Sequence, residues 1–239
     1  MKIVLLRVGI DSGCGGIQGP LLDSHSNFEY IPIPDGTGTD SRTYGTEFGE
    51  HGRKFVDYFP LSRHETMMLQ SIHYDPEFGT FTYGDPTSLK ARLRYLERGD
   101  LLIFYCGLQG WGDCPAKPML YIMGYFEVAM AGRASRIGEL EVRRQFSENF
   151  HVRHPRIYSK DEDRLVLVKG GRGSRLLNRA VLMSQAGKDR RGRSLKVLSR
   201  EMRKIFGDFE GRVSIQRSSP RWVRPEFVGT AAEFVRSLD

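Results

Sequence analysis

Two apolar runs in the middle of the chain, LLIFY at 101–105 and MLYIMGYFEV at 119–128, limit its fold more than any other feature. The first is short, continuous and led by the turn pair Gly99 and Asp100. The second is rich in β-prone residues and broken by Gly124. Runs of this length and make-up predict strands. A glycine inside the second marks a bulge, or a place where another backbone comes close. TSLKARLRYLE (87–97), just ahead of them, sets Leu89, Leu93 and Leu96 on one face and predicts a helix. Further strands are expected at 2–9, 28–33, 163–169 and 213–217, and a long surface loop at 36–55. Helices are expected at 60–71, with Ser62 and Glu65 as a capping box, and at 194–205 and 231–238. The sum is an α+β chain, read as a single domain over 1–239, with a curved mixed β-sheet or a β-barrel and flanking helices.

Charge narrows the partner. The chain carries a formal net charge of +7, and the excess gathers in KGGRGSRLLNRA (169–180) and KDRRGRSLKVLSREMRK (188–204). Arg212, Arg217, Arg221 and Arg224 follow, with Trp222 and Phe227 among them. Interleaved Gly and Ser predict that 169–180 is open and flexible. A basic region of this length, 169–224, points to nucleic-acid phosphates, with His154, Arg172, Arg175, Arg190 and Arg191 as phosphate-binding candidates. The three cysteines, Cys14, Cys106 and Cys114, are too few for a disulfide scaffold, and a reducing cytoplasmic setting is the expectation. No apolar run reaches the roughly 20 residues of a membrane-spanning helix, so no membrane partner is expected.

Three motifs could carry chemistry. VGIDSGCGGIQGPLL (8–22) resembles a phosphate loop but lacks the lysine after its glycines that a P-loop requires. Pro20 stands where a dinucleotide-binding loop would open its helix. What remains is a strand-end loop offering Asp11, Ser12, Gly15 and Gly16 to a ligand, or a turn in which Asp11 bonds its own backbone. SIHYDPEFG (71–79) places His73 and Asp75 two residues apart, on one face of an extended segment, as an acid–base pair needs. HVRHPRIYS (151–159) holds His151 and His154, a metal pair with no third ligand near it in sequence. The Cys106–Cys114 spacing is too wide for a zinc knuckle. No metal and no cofactor are expected.

The order of helix TSLKARLRYLE, strand RGDLLIFYCG, loop and strand YIMGYFEV resembles the PUA-like superfamily, with its EVE and ASCH branches, over about residues 87–130. That resemblance implies a small barrel or strongly curved core, taken here as about 87–170, with a pocket for a flipped or modified base. The wider order of LLRVGIDSGCGGIQGPLL, YIPIPDG, HYDPEF, GDLLIFYCG, YIMGYFEV, HVRHPRIY and the GGRGS loop resembles the nucleotide modification associated domain proteins over roughly 1–190. The chain departs from that group's pattern at Ile10, where an aromatic residue frequently stands, while Arg7 keeps the charge of its position. The resemblance implies a protein that recognises or acts on a modified base in nucleic acid, with DNA as the expected partner. The expected base pocket combines Asp11, His73 and Asp75 as catalytic candidates with Ser12, Gly15, Gly16, Asp35, Tyr105 and Gly107 as base-binding ones. An enzyme of base hypermodification and a structural subunit of a modification complex are the alternatives.

Overall fold

In the computed structural model, which describes every residue except 190, 210, 212, 213, 216–218 and 239, the run at 101–105 lies in the middle of the main sheet. Strand β1 (Ile3–Arg7) is followed by three short strands, β2 (Gly19–Leu21), β3 (Ile33–Pro34) and β4 (Ile72–His73), and then by β5 (Thr82–Asp85). The long strands are β6 (Leu101–Gly110) and β7 (Met119–Arg133), with β8 (Val166–Gly170) and β9 (Arg175–Leu182) after them. β10 (Ser184–Lys188) and β11 (Ser194–Leu198) form a hairpin, and β12 (Arg221–Trp222) closes the series. The main sheet has eight strands in the order β12-β1-β6-β7-β8-β5, with β2 added to β6 and β9 added to β7. Its edges do not pair with each other, so the mixed sheet is open, and the barrel alternative is not what this chain forms.

β1 and β6 are parallel neighbours. A parallel pair needs a crossover, and here it is the whole of residues 8–100. Most of the residues discussed below as candidate ligand-binding groups belong to that excursion. Side chains alternate along β1 and β6. Ile3, Leu5, Leu101, Ile103 and Tyr105 face helices α6 (Arg200–Phe206) and α7 (Val228–Arg236). Val4, Leu6, Leu102 and Phe104 face the crossover, where Leu93, Leu96 and Tyr30 cover them. Burial on both faces is why these strands read as unbroken apolar runs. Gly124 has both properties that its position implied. The β7 pairing slips beside it, and a Cβ there would lie 2.6 Å from the Arg175 carbonyl oxygen and 2.7 Å from the Phe78 ring.

Several expected elements differ. At 60–71 a 3-10 turn (Leu61–Arg63) precedes α1 (His64–Leu69), and Arg63, not Ser62, stands at the cap without a side-chain cap bond. The helix at 87–97 is a 3-10 helix over Ser88–Tyr95. Leu93 and Leu96 share its inward side at the three-residue spacing of that helix, while Leu89 is 61% exposed. Thr87 bonds Asp85 instead of capping the helix. FEYIPI forms no strand of its own length, because Pro32 and Pro34 remove ladder donors; Phe28 bridges Leu21, and Ile33–Pro34 pairs with β4.

The stretch expected to be open at 175–180 is strand β9, which buries Leu177 and Ala180. Residues 194–198 are β11 rather than helix, because Gly192 (φ 77°) turns the chain back onto β10. The helix starts only after Ser199, whose side chain accepts from the Met202 amide at 3.2 Å. Four helices that the pattern did not announce follow β7: α2 (Ala134–Ile137), α3 (Glu139–Phe146), α4 (Phe150–Arg153) and α5 (Pro155–Asp161). Val142 and Phe146 pack them onto Leu165 and Leu167 beside β8. Arg190, Arg212, Arg217 and most of the expected strand 213–217 lie outside the described residues. Among the described residues, no helix is long and apolar enough to cross a membrane.

Candidate ligand site

The glycine-rich loop after β1 is a self-contained turn. The Asp11 carboxylate accepts from the amides of Gly13 at 2.7 Å and Cys14 at 2.8 Å, and it pairs with Arg7 at 2.9 Å. Gly15 and Gly16 have φ of 95° and 78°, which explains the glycines without a ligand. The Gly15 carbonyl accepts from Arg63 at 2.6 Å, and Ser12 is exposed. Burial pushes the Cys14 thiol above its ordinary value and the Asp11 charge pushes it the same way, so it stays a thiol at neutral pH. Tyr105 and Gly107 are buried in β6. The tyrosine hydroxyl donates to the Ile215 carbonyl at 2.9 Å, and Gly107 packs against Gln18.

The segment 71–79 is different, because its side chains are divided between two cavities. His73 lines the first, about 410 Å³, together with Asp35, Phe150, His151, Arg156 and Lys160. His73 stacks on Phe150 with 3.8 Å between ring centroids and meets His151 edge-on at 5.0 Å. Asp75 lies beside them: one ligand atom from each of His73, Asp75 and His151 falls within 4.8 Å of the others. Burial, and then the neighbouring His151, lower His73 to about 3, so its imidazole is neutral across the physiological range. Burial also lowers His151. Burial raises Asp75 well above the carboxylate range, with the Asp85 charge adding to the effect.

Asp35, the base-binding candidate that does join His73 at this cavity, is tied up locally. It accepts from the Thr37 amide at 2.8 Å, the Thr37 hydroxyl at 2.6 Å and the Thr39 amide at 2.9 Å. Asp11, Ser12, Gly15, Gly16, Tyr105 and Gly107 are not among the residues lining it.

Tyr74, Glu77 and Phe78, from the same segment, line the second cavity of about 340 Å³, with Tyr30, Arg42 and Phe48 among its other walls. Its walls combine the rings of Tyr30, Phe48, Phe55, Tyr74 and Phe78 with Arg42 and four glutamates, Glu29, Glu50, Glu77 and Glu148. Phe78 meets Tyr30 edge-on at 5.7 Å, and the Arg42 guanidinium sits 5.0 Å over the Tyr74 ring. Glu77 is buried, and its Oε1 has no hydrogen-bond partner among the described residues. Burial pushes its carboxyl up to about 7 against the opposing charges of Arg42 and Arg153.

Asp40 ties this wall together. It is buried, pairs with Arg42 at 3.0 Å and with Arg153 of α4, and lies 3.6 Å from His154. His154, expected at a phosphate, therefore faces a carboxylate. The sequence reading passed over Arg42, Tyr74, Glu77 and Phe78 as site residues. Three of them stand in the motif HYDPEF, beside His73 and Asp75.

The basic candidates are spread out. Arg172 is exposed in the turn after β8, and the Gly170 amide of that strand bonds Phe81 next to the second cavity. Arg175 lies over the Tyr125 ring and donates to the Leu238 carbonyl at 3.3 Å, on the α7 side of the sheet. Arg191 is exposed in the β10–β11 turn.

An open mixed sheet with flanking helices makes this an α+β protein, and residues of its long crossover line two cavities. The chain matches the model of the nucleotide modification associated domain 3 family over residues 2–237, and it belongs to that family. No curated protein and no solved structure matches it.

Proposed function

We propose that this nucleotide modification associated protein recognises a modified base in nucleic acid, DNA being the partner expected, and holds that base in the cavity between Tyr74 and Phe78. The observation that carries this reading is the combination of stacking surfaces with the buried, unpartnered Glu77 Oε1 and the Arg42 guanidinium in one cavity. A base extruded from a duplex is read by stacking and by hydrogen bonds to its edge, and those are the groups present. Backbone phosphates would be met by exposed arginines, Arg172 in the turn after β8 among them.

Fluorescence anisotropy with oligonucleotides carrying modified bases tests the reading. Tighter binding of a modified oligonucleotide than of its plain counterpart is expected, with affinity falling steeply as salt rises. Charge reversal at Arg172 is expected to flatten the salt dependence by about one unit of log–log slope, and the same change at Arg175, on the opposite side of the sheet, by less. Equal affinity for modified and plain DNA across a broad panel sinks the reading.

A second reading, chemistry on the base, is favoured by the meeting of His73, Asp75 and His151 next door. In that reading His73 and Asp75 act together, while Asp11 stays with Arg7. Mass spectrometry of the nucleosides after incubation separates the two: a shifted product means an enzyme, and unchanged nucleosides in the presence of tight binding mean a reader.

A further inference from the structure

The sequence offered His151 and His154 as an incomplete metal pair. The fold separates the two, turning His154 toward Asp40 at 3.6 Å and His151 toward His73 and Asp75 from the crossover. The missing ligands are thus far away in sequence and close in space.

Two features of this group are costly in a protein with no guest. His73 Nε2 and His151 Nδ1 are both shut away from solvent, and neither has a hydrogen-bond partner among the described residues. A buried polar atom left unpaired is costly, so two in adjacent rings beside Asp75 call for a shared partner. The rings are also held in place. The Asn149 side chain accepts from the His151 amide at 3.2 Å and fixes the start of α4. The Cδ2 edge of the His151 ring packs against Gly84. Nδ1 lies on the other edge of the ring, so this packing does not occupy it. Gly84 is required for it, because a Cβ there would lie 2.7 Å from Asn149 Oδ1 and 3.1 Å from the His151 ring. Asp75 makes only a long contact, 3.4 Å, with the Gly84 amide and keeps lone pairs free.

We propose that His73, Asp75 and His151 bind one divalent transition-metal cation, with coordination positions left open toward the adjoining cavity for an anionic co-ligand. Two imidazoles and one carboxylate suit iron(II), zinc(II) and cobalt(II), which they bind at about 2.0–2.2 Å. The cavity supplies an entry path, since His73 and His151 line it. It also supplies the charge for an anion. Asp161 on its wall is paired with Arg164 and Asp35 is bonded to Thr37, whereas Arg156 and Lys160 have no ion-pair partner among the described residues. A carboxylate or phosphate is the class of co-ligand that these two cations fit.

This proposal does not depend on where a base binds, and its test contains no nucleic acid. Full-length protein stripped with a chelator is titrated with cobalt(II) alone and followed by visible absorption, and bound zinc(II) is counted after equilibrium dialysis. One equivalent of either ion is expected, with a thermal midpoint that rises on loading. His73→Ala and His151→Ala are expected to weaken binding at least tenfold, and His25→Ala, at an exposed histidine, to leave it unchanged. Asp75→Asn keeps the side-chain volume, so it covers the case in which a histidine variant fails to fold; a similar loss of affinity is expected. Inorganic phosphate is expected to perturb the cobalt spectrum in the wild type and not in Arg156→Ala/Lys160→Ala. Folded wild-type protein that retains no ion after dialysis overturns the site. So does binding that survives every one of the three ligand substitutions. An identical phosphate response in the double variant overturns the anionic co-ligand.

Discussion

The loop 8–22 and the segment 71–79 both present an aspartate among residues of catalytic type, and the structure treats them in opposite ways. Around Asp11 the acceptors are answered locally, although Gln18 Oε1, further along the loop, is buried without a partner among the described residues. Asp11 caps its own turn and pairs with Arg7, and the glycines serve left-handed backbone. In the segment, buried polar atoms remain unanswered: His73 Nε2 and Glu77 Oε1, with His151 Nδ1 facing them from α4. Polar groups that satisfy one another build structure, whereas buried ones without a partner are where a ligand has something to contribute. Residue types alone do not separate the two cases; the accounting of hydrogen bonds does.

If that contrast holds, substitutions near the segment should have large effects and substitutions in the loop small ones. The largest effect is expected at Asp40, which joins the crossover to α4. Asp40→Ala removes a buried carboxylate from Arg42, Arg153 and His154 together. It is expected to cost about 3 kcal/mol by chemical denaturation, in line with hydrogen bonds to charged groups.

Asp40 also fixes a pH dependence. Burial alone would raise its carboxyl, but the Arg42 hydrogen bonds and the charges of Arg42 and Arg153 outweigh that and hold it below its ordinary 3.8. A depressed folded value means that the contribution is complete above the unfolded value and fades as pH falls through the folded one. The stability gap between wild type and Asp40→Asn should therefore be constant from pH 7 down to about 5 and shrink below 3.8. A gap independent of pH would show that the carboxylate charge is not what Asp40 contributes.

Next comes Tyr74. Losing one stacking face costs about 1–3 kcal/mol per base, so Tyr74→Ala is expected to weaken binding of a modified oligonucleotide by roughly 5- to 150-fold. The thermal midpoint should fall as well, because the Tyr74 ring packs against Tyr30 and Phe55. An affinity unchanged in this variant removes the second cavity from the base-recognition reading.

The sheet was legible because its strands are buried on both faces, which leaves an unbroken apolar signature; Gly124 was legible because only a glycine fits against Arg175 and Phe78. The C-terminal basic stretch was misread for a physical reason. Arginines and lysines on an outward strand face look like a solvated loop, and only the inward Leu177 and Ala180, or the turn at Gly192, betray β9, β10 and β11. The site was half legible. HYDPEF drew attention as a motif, but the role of Tyr74, Glu77 and Phe78 depends on which side of the segment each faces. That is set by the crossover packing on β6 and β7 rather than by local spacing. His151 could not be joined to His73 from sequence, since nothing local links residues 73 and 151.

The smallest effect is expected at Asp11, and it tests the comparison from the other side. Asp11→Ala removes two amide bonds within a turn and a partly exposed ion pair with Arg7. Turn caps of this kind contribute about 0.5–1 kcal/mol, and partly exposed pairs add little more. The variant should unfold at slightly lower denaturant with an unchanged m-value, and Asp11 should leave both oligonucleotide affinity and cobalt(II) stoichiometry as in the wild type. A loss of either binding function with so small a change in stability would mean that the loop's aspartate acts on the ligand despite its local partners. The distinction between answered and unanswered polar groups would then fail as a guide to this fold.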